Sequence, residues 1–192
     1  MRPRFILLAG PNGSGKSSLA SGMDLTGIDD VINPDTIRSP DGNLASALQA
    51  GCLVIHRTAE NFATGRSFLL ETTLSGNREA RVVAEARQRG YQVDVIFVCV
   101  GDVRLNILRV QLRVEQGGHF VPEEDIRRRY DRSLENLRAI IPLSNSAVLF
   151  DNSGGEHKRV ARFEDGILRW RAEEPPGWLS RVLDEPRSGP MV

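Results

Sequence analysis

Neither sign of charge is in surplus in this chain of 192 residues, where 25 lysines and arginines face 25 aspartates and glutamates. The balance excludes a protein that holds nucleic acid by bulk charge, which needs a clear excess of cations. It leaves room for a local basic pocket. Long apolar runs are missing as well: none approaches the ~20 residues that cross a bilayer, so no membrane association is expected. The stretch Phe5–Ala9, preceded by two arginines, falls short of the ~7–15-residue core of a signal peptide, and a cytoplasmic location is expected. Cysteine is scarce, with only Cys52 and Cys99, far apart and each among apolar neighbours. Without a Cys-x-x-Cys pair or a histidine cluster, no disulfide or metal framework is expected. Both cysteines read as reduced, buried, small hydrophobes. The 40% apolar and 26% charged fractions are those of one folded domain with a real core.

The patterning alternates strands with helices. Residues 4–9, 30–33, 67–72, 93–100 and 147–150 read as short strands, and the nearly continuous apolar run 93–100 suits a parallel strand covered on both faces. Helices are expected over about 16–22, 43–64, 77–89 and 103–116, and from Pro122 onward. In the second of these, Leu44, Leu48, Val54, Ile55, Ala59 and Phe62 recur at helical spacing. Proline followed by Glu123, Glu124 and Asp125 is a favourable helix start. Asp165-Gly166 between two β-like runs predicts a hairpin, and the proline-rich stretches after it read as irregular chain. The pattern as a whole predicts an α/β sandwich around a mostly parallel sheet.

Gly10-Pro11-Asn12-Gly13-Ser14-Gly15-Lys16-Ser17 matches G-x-x-x-x-G-K-[ST] at every fixed position, between an expected strand and an expected helix. Glycines at these positions let successive amides turn toward an anion, and the following helix points its positive end at it. These residues, with Ser18, are the candidate ATP site; Lys16 would reach the β- and γ-phosphates and Ser17 would ligate Mg²⁺. The chain has no Asn-Lys-x-Asp guanine motif and no strand ending in paired acids. Small size and late arginines therefore point to a small-molecule kinase with a mobile lid.

Ligands of open α/β sheets sit beyond the carboxyl ends of the strands. Asp35 and Glu71 fall there. Asp35 is the candidate base for the acceptor hydroxyl, and Glu71 a candidate to bind the acceptor or a Mg²⁺ water. Arg109 and Arg113 share one side of their helix. Arg127, Arg128, Arg129 and Arg132 lie on the next, and Gly117-Gly118 between the two reads as a hinge. Closing such a lid would bring Arg113, Arg128 and Arg129 onto the γ-phosphate, whereas Arg127 and Arg132 read as solvated. His119 is expected to hydrogen-bond or stack within the lid.

The order GPNGSGKS, INPDTIR, FLLETTLSG, RVEQGGHFVPEEDIRRRYDRSLENL and LFDNSG resembles the zeta-toxin family of P-loop kinases, over about Phe5 to Gly154. The GGH-x-VP-x-x-x-I-x-RRY-x-RS-L element carries most of that resemblance. It implies an ATP-dependent kinase fold with a five-stranded parallel sheet. It implies Lys16 and Ser17 as the phosphate-loop lysine and Mg²⁺-side hydroxyl, and Asp35 as the base. Glu71, Thr72, Thr73 and Arg38 would line the acceptor side, and Arg113 with Arg128 or Arg129 would clamp phosphate. The best-known members phosphorylate the 3′-hydroxyl of the amino sugar in UDP-N-acetylglucosamine and are held by an antitoxin, so a nucleotide-sugar acceptor and a separate antitoxin are expected partners. Two alternatives stay open: a nucleotide-dependent switch ATPase without an acceptor, and a kinase of an antibiotic or nucleoside. The expected organisation is a three-layer P-loop kinase domain over 1–155, with a helical lid at about 104–140. A C-terminal β-hairpin and tail over 156–192 would pack on the same domain.

Overall fold

The computed structural model describes residues 2–37, 46–118 and 120–183. Its seven strands are β1 (Arg4–Ala9), β2 (Asp30–Ile32), β3 (Phe68–Thr72), β4 (Gln92–Cys99), β5 (Ser146–Asp151), β6 (Lys158–Glu164) and β7 (Ile167–Arg171). They form one sheet in the order β2-β3-β1-β4-β5-β6-β7. The first five are parallel, as expected, and the hairpin β6–β7 continues the sheet antiparallel to β5. Six α-helices join them: α1 (Lys16–Ala20), α2 (Ala47–Thr64), α3 (Arg78–Gln88), α4 (Val103–Glu115), α5 (Glu123–Ile140) and α6 (Gly177–Leu183). Among the described residues no helix is long and apolar enough to cross a membrane.

The two faces of the sheet are covered unequally. The larger core gathers Phe5, Leu7, Phe68, Phe97, Ala147 and Leu149 under α2, α3, α5 and α6. The other face is smaller: Ile6, Leu8, Leu69 and Val98 lie under α1 and the loop after it. A third cluster, Ile107, Val110, Val121 and Ile126, joins α4 to the start of α5. Helix α5 thus belongs to two cores, since its later residues Tyr130, Leu134, Leu137 and Ile140 sit in the large one.

Helix α2 starts at 47 with a capping box between Ser46 and Gln49. Its inward face differs from the expected one. Ala50, Val54, Thr58, Asn61 and Phe62 are buried, whereas Leu48, Ile55 and Ala59 are exposed; Leu44 lies outside the described residues. Polar anchors set this rotation. Asn61 Nδ2 donates to Asp30 Oδ2 at 2.7 Å, Arg57 pairs with the same carboxylate, and Thr58 Oγ1 donates to Val54 O at 2.6 Å. Satisfied polar groups are thereby buried in place of aliphatic ones. The same rotation turns Cys52 outward, so of the two cysteines only Cys99 is buried.

The proline-rich tail also differs from expectation. Gly177–Leu183 is a helix, and it buries Trp178, Leu179 and Val182. No start signal beyond the prolines marks so short a helix; the Trp178 side chain, packed against Phe97 at 5.9 Å between ring centroids, holds it. Replacing a large buried aromatic with alanine costs about 3–5 kcal/mol. Trp178→Ala is therefore expected to lower the urea midpoint strongly with little change in slope, as measured by equilibrium unfolding.

Candidate functional site

The order of chain addition reverses at β1, which carries the phosphate loop at its carboxyl end. Register then sets the neighbours of the loop. Leu8 pairs with Glu71 and Ala9 with Thr72, while Ile32 pairs with Leu70. Glu71 therefore stands beside the loop, and the turn Asn33–Asp35 lies just past the end of β2. On the opposite flank Cys99 pairs with Asp151, which brings the start of α4 and the segment after β5 against the loop.

The loop has the shape that its glycines predict. Gly15 has φ +99°, and a Cβ there would lie 2.1 Å from Asn152 Nδ2. At Gly10, φ is +145° and a Cβ would lie 2.1 Å from Val98 O. Backbone conformation strains any other residue at both positions, and at Gly10 the Val98 carbonyl also leaves no room for a side chain. Lys16 is buried, and its Nζ donates to Gly10 O at 2.9 Å and Pro11 O at 3.3 Å.

Glu71 is 6% exposed and links two of the predicted residues, Ser17 directly and Asp35 through Asn33. Ser17 Oγ donates to its Oε1 at 3.2 Å, and Asn33 Nδ2 donates to its Oε2 at 2.9 Å. Asn33 Oδ1 in turn accepts from the Asp35 backbone amide at 2.9 Å, which holds the turn carrying Asp35. Burial pushes the Glu71 carboxyl above its usual value, against the pull of the Lys16 charge and the Ser17 hydroxyl. Burial likewise lowers Lys16, with the Glu71 and Asp35 carboxylates pulling the other way. A phosphate beside Lys16 would favour its charged form.

Two cavities meet at these acids. One, of about 370 Å³, is lined by Lys16, Arg128, Arg129 and Arg132 on its cationic side. The other, of about 320 Å³, adds an apolar wall of Ile37, Ala50, Val54, Leu70 and Val121. Asp35, Glu71, Thr72, Thr73 and Arg129 line both. Oxygen donors, with the Ser17 hydroxyl beside the Glu71 carboxylate, suit Mg²⁺. Among the described residues no cluster of three His, Cys, Asp or Glu side chains could hold a metal without help from a ligand.

The arginines separate. Arg129 Nη1 donates to Asn12 Oδ1 at 3.2 Å, so its guanidinium reaches the loop. Arg128 pairs with Asp125 at 2.7 Å and is more exposed. Arg113 lies 4.0 Å from Asp35 Oδ2, beside the candidate base. Arg109, the other member of that helical pair, reaches Gly13 O at 3.5 Å and Asn152 O at 2.8 Å and so braces the loop from outside. Arg127 pairs with Glu123 on the surface, and Arg132 is likewise exposed, at the wall of the cationic cavity. Gly117 and Gly118 cap the end of α4 through amide bonds to Val114 O and Arg113 O. Thr72 Oγ1 donates to Glu79 at 2.8 Å, and Thr73 Oγ1 lies 2.9 Å from Ser75 Oγ. Ser18 is exposed at the start of α1. Arg38 and His119 lie outside the described residues.

Four site residues carry no sequence signal of their own. Asn106, Asn152 and His157 hydrogen-bond the loop, and Asn33 holds Glu71. Asparagine and histidine are common in loops and on helices, so only the long-range contact singles them out.

Comparison with known proteins agrees with this geometry. The Zeta toxin family model matches residues 1–154. An uncharacterized protein of Haemophilus influenzae is 31% identical over 133 residues, covering 68% of this chain and 94% of that protein. The structure of the PezAT chromosomal toxin–antitoxin system of Streptococcus pneumoniae superposes with a TM-score of 0.64 at 18% identity, over 84% of this chain and 71% of that one. AvrRxo1-ORF1:-ORF2 with ATP gives a TM-score of 0.59 at 17% identity, over 87% of this chain. This chain spans only 60% of that one.

Glu71 supplies a pH test. Its raised carboxyl pKa means that the folded state binds the proton more tightly than the unfolded state. Stability linked to it is present below the unfolded value and lost as pH rises through the folded one. Thermal melts should therefore show wild type gaining on Glu71→Gln as pH falls from 7 toward about 4, near the unperturbed carboxyl value. A gap that moves the other way would remove Glu71 as the buried titrating group. With its model matched over residues 1–154, the chain belongs to the Zeta toxin family.

Proposed function

We propose that the protein is an ATP-dependent kinase of zeta-toxin type that transfers the γ-phosphate to a hydroxyl of a small-molecule acceptor. The carrying observation is the meeting of the two cavities at Asp35 and Glu71. One side is cationic and opens on the phosphate loop; the other is partly apolar and suits the body of an organic acceptor.

The amides of Gly13–Ser17 would bind the β- and γ-phosphates. Lys16 would leave the Gly10 and Pro11 carbonyls for the phosphate oxygens. Arg129, already at the loop, and Arg113 would neutralise charge on the transferred group, with Arg128 and Arg132 supplying field around it. Asp35 would accept the acceptor proton, and Glu71, Thr72 and Thr73 would orient the acceptor. Ser17 would hold Mg²⁺, with Glu71 behind it; that ion neutralises charge on the β- and γ-oxygens. Family membership supports UDP-N-acetylglucosamine or another nucleotide sugar as acceptor. The toxin–antitoxin assembly named for one structural neighbour supports a separate antitoxin protein as partner.

The test is γ-labelled ATP with a cell extract, followed by mass spectrometry of whatever gains a phosphate. Losing a general base costs about 10²–10⁴ in rate. Asp35→Asn should lower transfer by that much while ATP still binds, and Lys16→Ala should weaken both. Free phosphate as the sole labelled product would replace this reading with a switch ATPase. Retained transfer in Asp35→Asn would take that role from Asp35.

A further inference from the structure

Six consecutive carbonyls of the phosphate loop, Gly10 to Gly15, each lie within hydrogen-bond distance of a side-chain nitrogen. Lys16 covers the first two. The other four partners come from elsewhere: Asn106 Nδ2 on Asn12 O at 2.5 Å, Arg109 Nη1 on Gly13 O at 3.5 Å, Asn152 Nδ2 on Ser14 O at 2.9 Å, and His157 Nε2 on Gly15 O at 3.0 Å. A carbonyl only accepts, so Nε2 of His157 is the donor. The four carbonyls held by these partners, Asn12 to Gly15, point away from the site, which leaves the amides of Gly13, Gly15 and Lys16 in the same peptide units on the other side, the arrangement an anion needs.

His157 lies beyond the last residue of the family match, Gly154, and so does the part that holds the neighbouring turn. Trp178 Nε1, on α6, donates to Asp151 Oδ2 at 2.7 Å. The same carboxylate accepts from Ser153 N at 2.9 Å and Ser153 Oγ at 3.0 Å, and Ser153 Oγ accepts from Gly101 N at 2.8 Å. Asn152, between these two residues, is thereby aimed at Ser14. Hairpin β6–β7 starts directly after His157 and carries the chain out to the sheet edge and back to α6.

We propose that the segment after Gly154 is a brace for the nucleotide site, with His157 and Trp178 as positioning residues that hold the phosphate loop open to an anion. The inference rests on the ATP-binding reading above, but its probe needs no acceptor.

The experiment is calorimetric titration of the full chain with Mg²⁺-ATP, for wild type, His157→Phe, His157→Gln and Trp178→Phe. Gly15 O also accepts the Leu19 amide at 3.1 Å, so His157→Phe removes one of its two donors, and ATP affinity should fall by up to about tenfold. His157→Gln restores an N–H donor and should stay within about threefold of wild type, a rescue that a mere packing role would not produce. Trp178→Phe keeps an aromatic ring in the core but loses the Asp151 bond, and should weaken ATP severalfold at a temperature where wild type and variant are both folded. A folded His157→Phe that binds ATP as wild type does overturns the proposal, as does a His157→Gln as weak as His157→Phe. If His157→Phe does not fold, unchanged affinity in Trp178→Phe overturns it alone. A wild-type chain that binds no ATP overturns the kinase reading and this one together.

Discussion

A loop that turns its amides toward an anion must dispose of its carbonyls on the other side. Each buried carbonyl without a donor costs stability, so the outer surface of the phosphate loop dictates what may pack behind it. Here that surface is met by Asn106 and Arg109 from α4 and by Asn152 and His157 from the segment after β5. Helix α4 can therefore neither slide nor rotate freely. Its Asn106 is fully buried, and a Cβ on Gly13 would lie 2.6 Å from the Asn106 carbonyl oxygen. The close approach of α4, the glycines of the loop and the place of β5 beside β4 are consequences of one accounting requirement.

Charge burial is the second consequence. Lys16 follows the carboxyl end of β1, and strand order places the buried Glu71 of β3 next to it. Both groups are pushed toward their neutral forms by burial and drawn back by each other. Such a pair is poor at stabilising a fold, and it fits a site that awaits a polyanion. The neutral balance of the whole chain conceals this local crowding of charge. Arg113 of α4 lies 4.0 Å from Asp35, and Arg128, Arg129 and Arg132 of α5 line one cavity with Asp35 and Glu71.

Much of the fold was legible because its signals are local. The continuous apolar run of β4 called for burial on both faces, and Asp165-Gly166 called for the hairpin that closes between β6 and β7. The phosphate loop was legible to the residue, because its glycines have steric reasons that hold in any context. Helix α2 was legible as a helix but not in its rotation. Arg57 and Asn61 bind Asp30 of β2, and no periodicity of apolar residues reports a contact of 31 positions in sequence. Helix α6 was missed because seven residues have little helical stability of their own and are held by Trp178 in the core.

The division is one of range. By itself the sequence determined the strand–loop–helix that carries the phosphate-loop motif and the acids at the strand ends. It also determined the two arginine-bearing helices, since each of these rests on neighbours within a few residues. Only the tertiary structure decided that Arg129 reaches Asn12 while the adjoining Arg128, which shares Asp125 with it, stays more exposed. Successive residues on a helix point about 100° apart, and the packing of α5 in two cores sets which of them faces the loop. It likewise decided that Asn33 secures both Glu71 and Asp35, and that Asn152 and His157 stand behind the loop. Those contacts bridge strands separated by whole helices, so sheet order and register create them and no local pattern announces them.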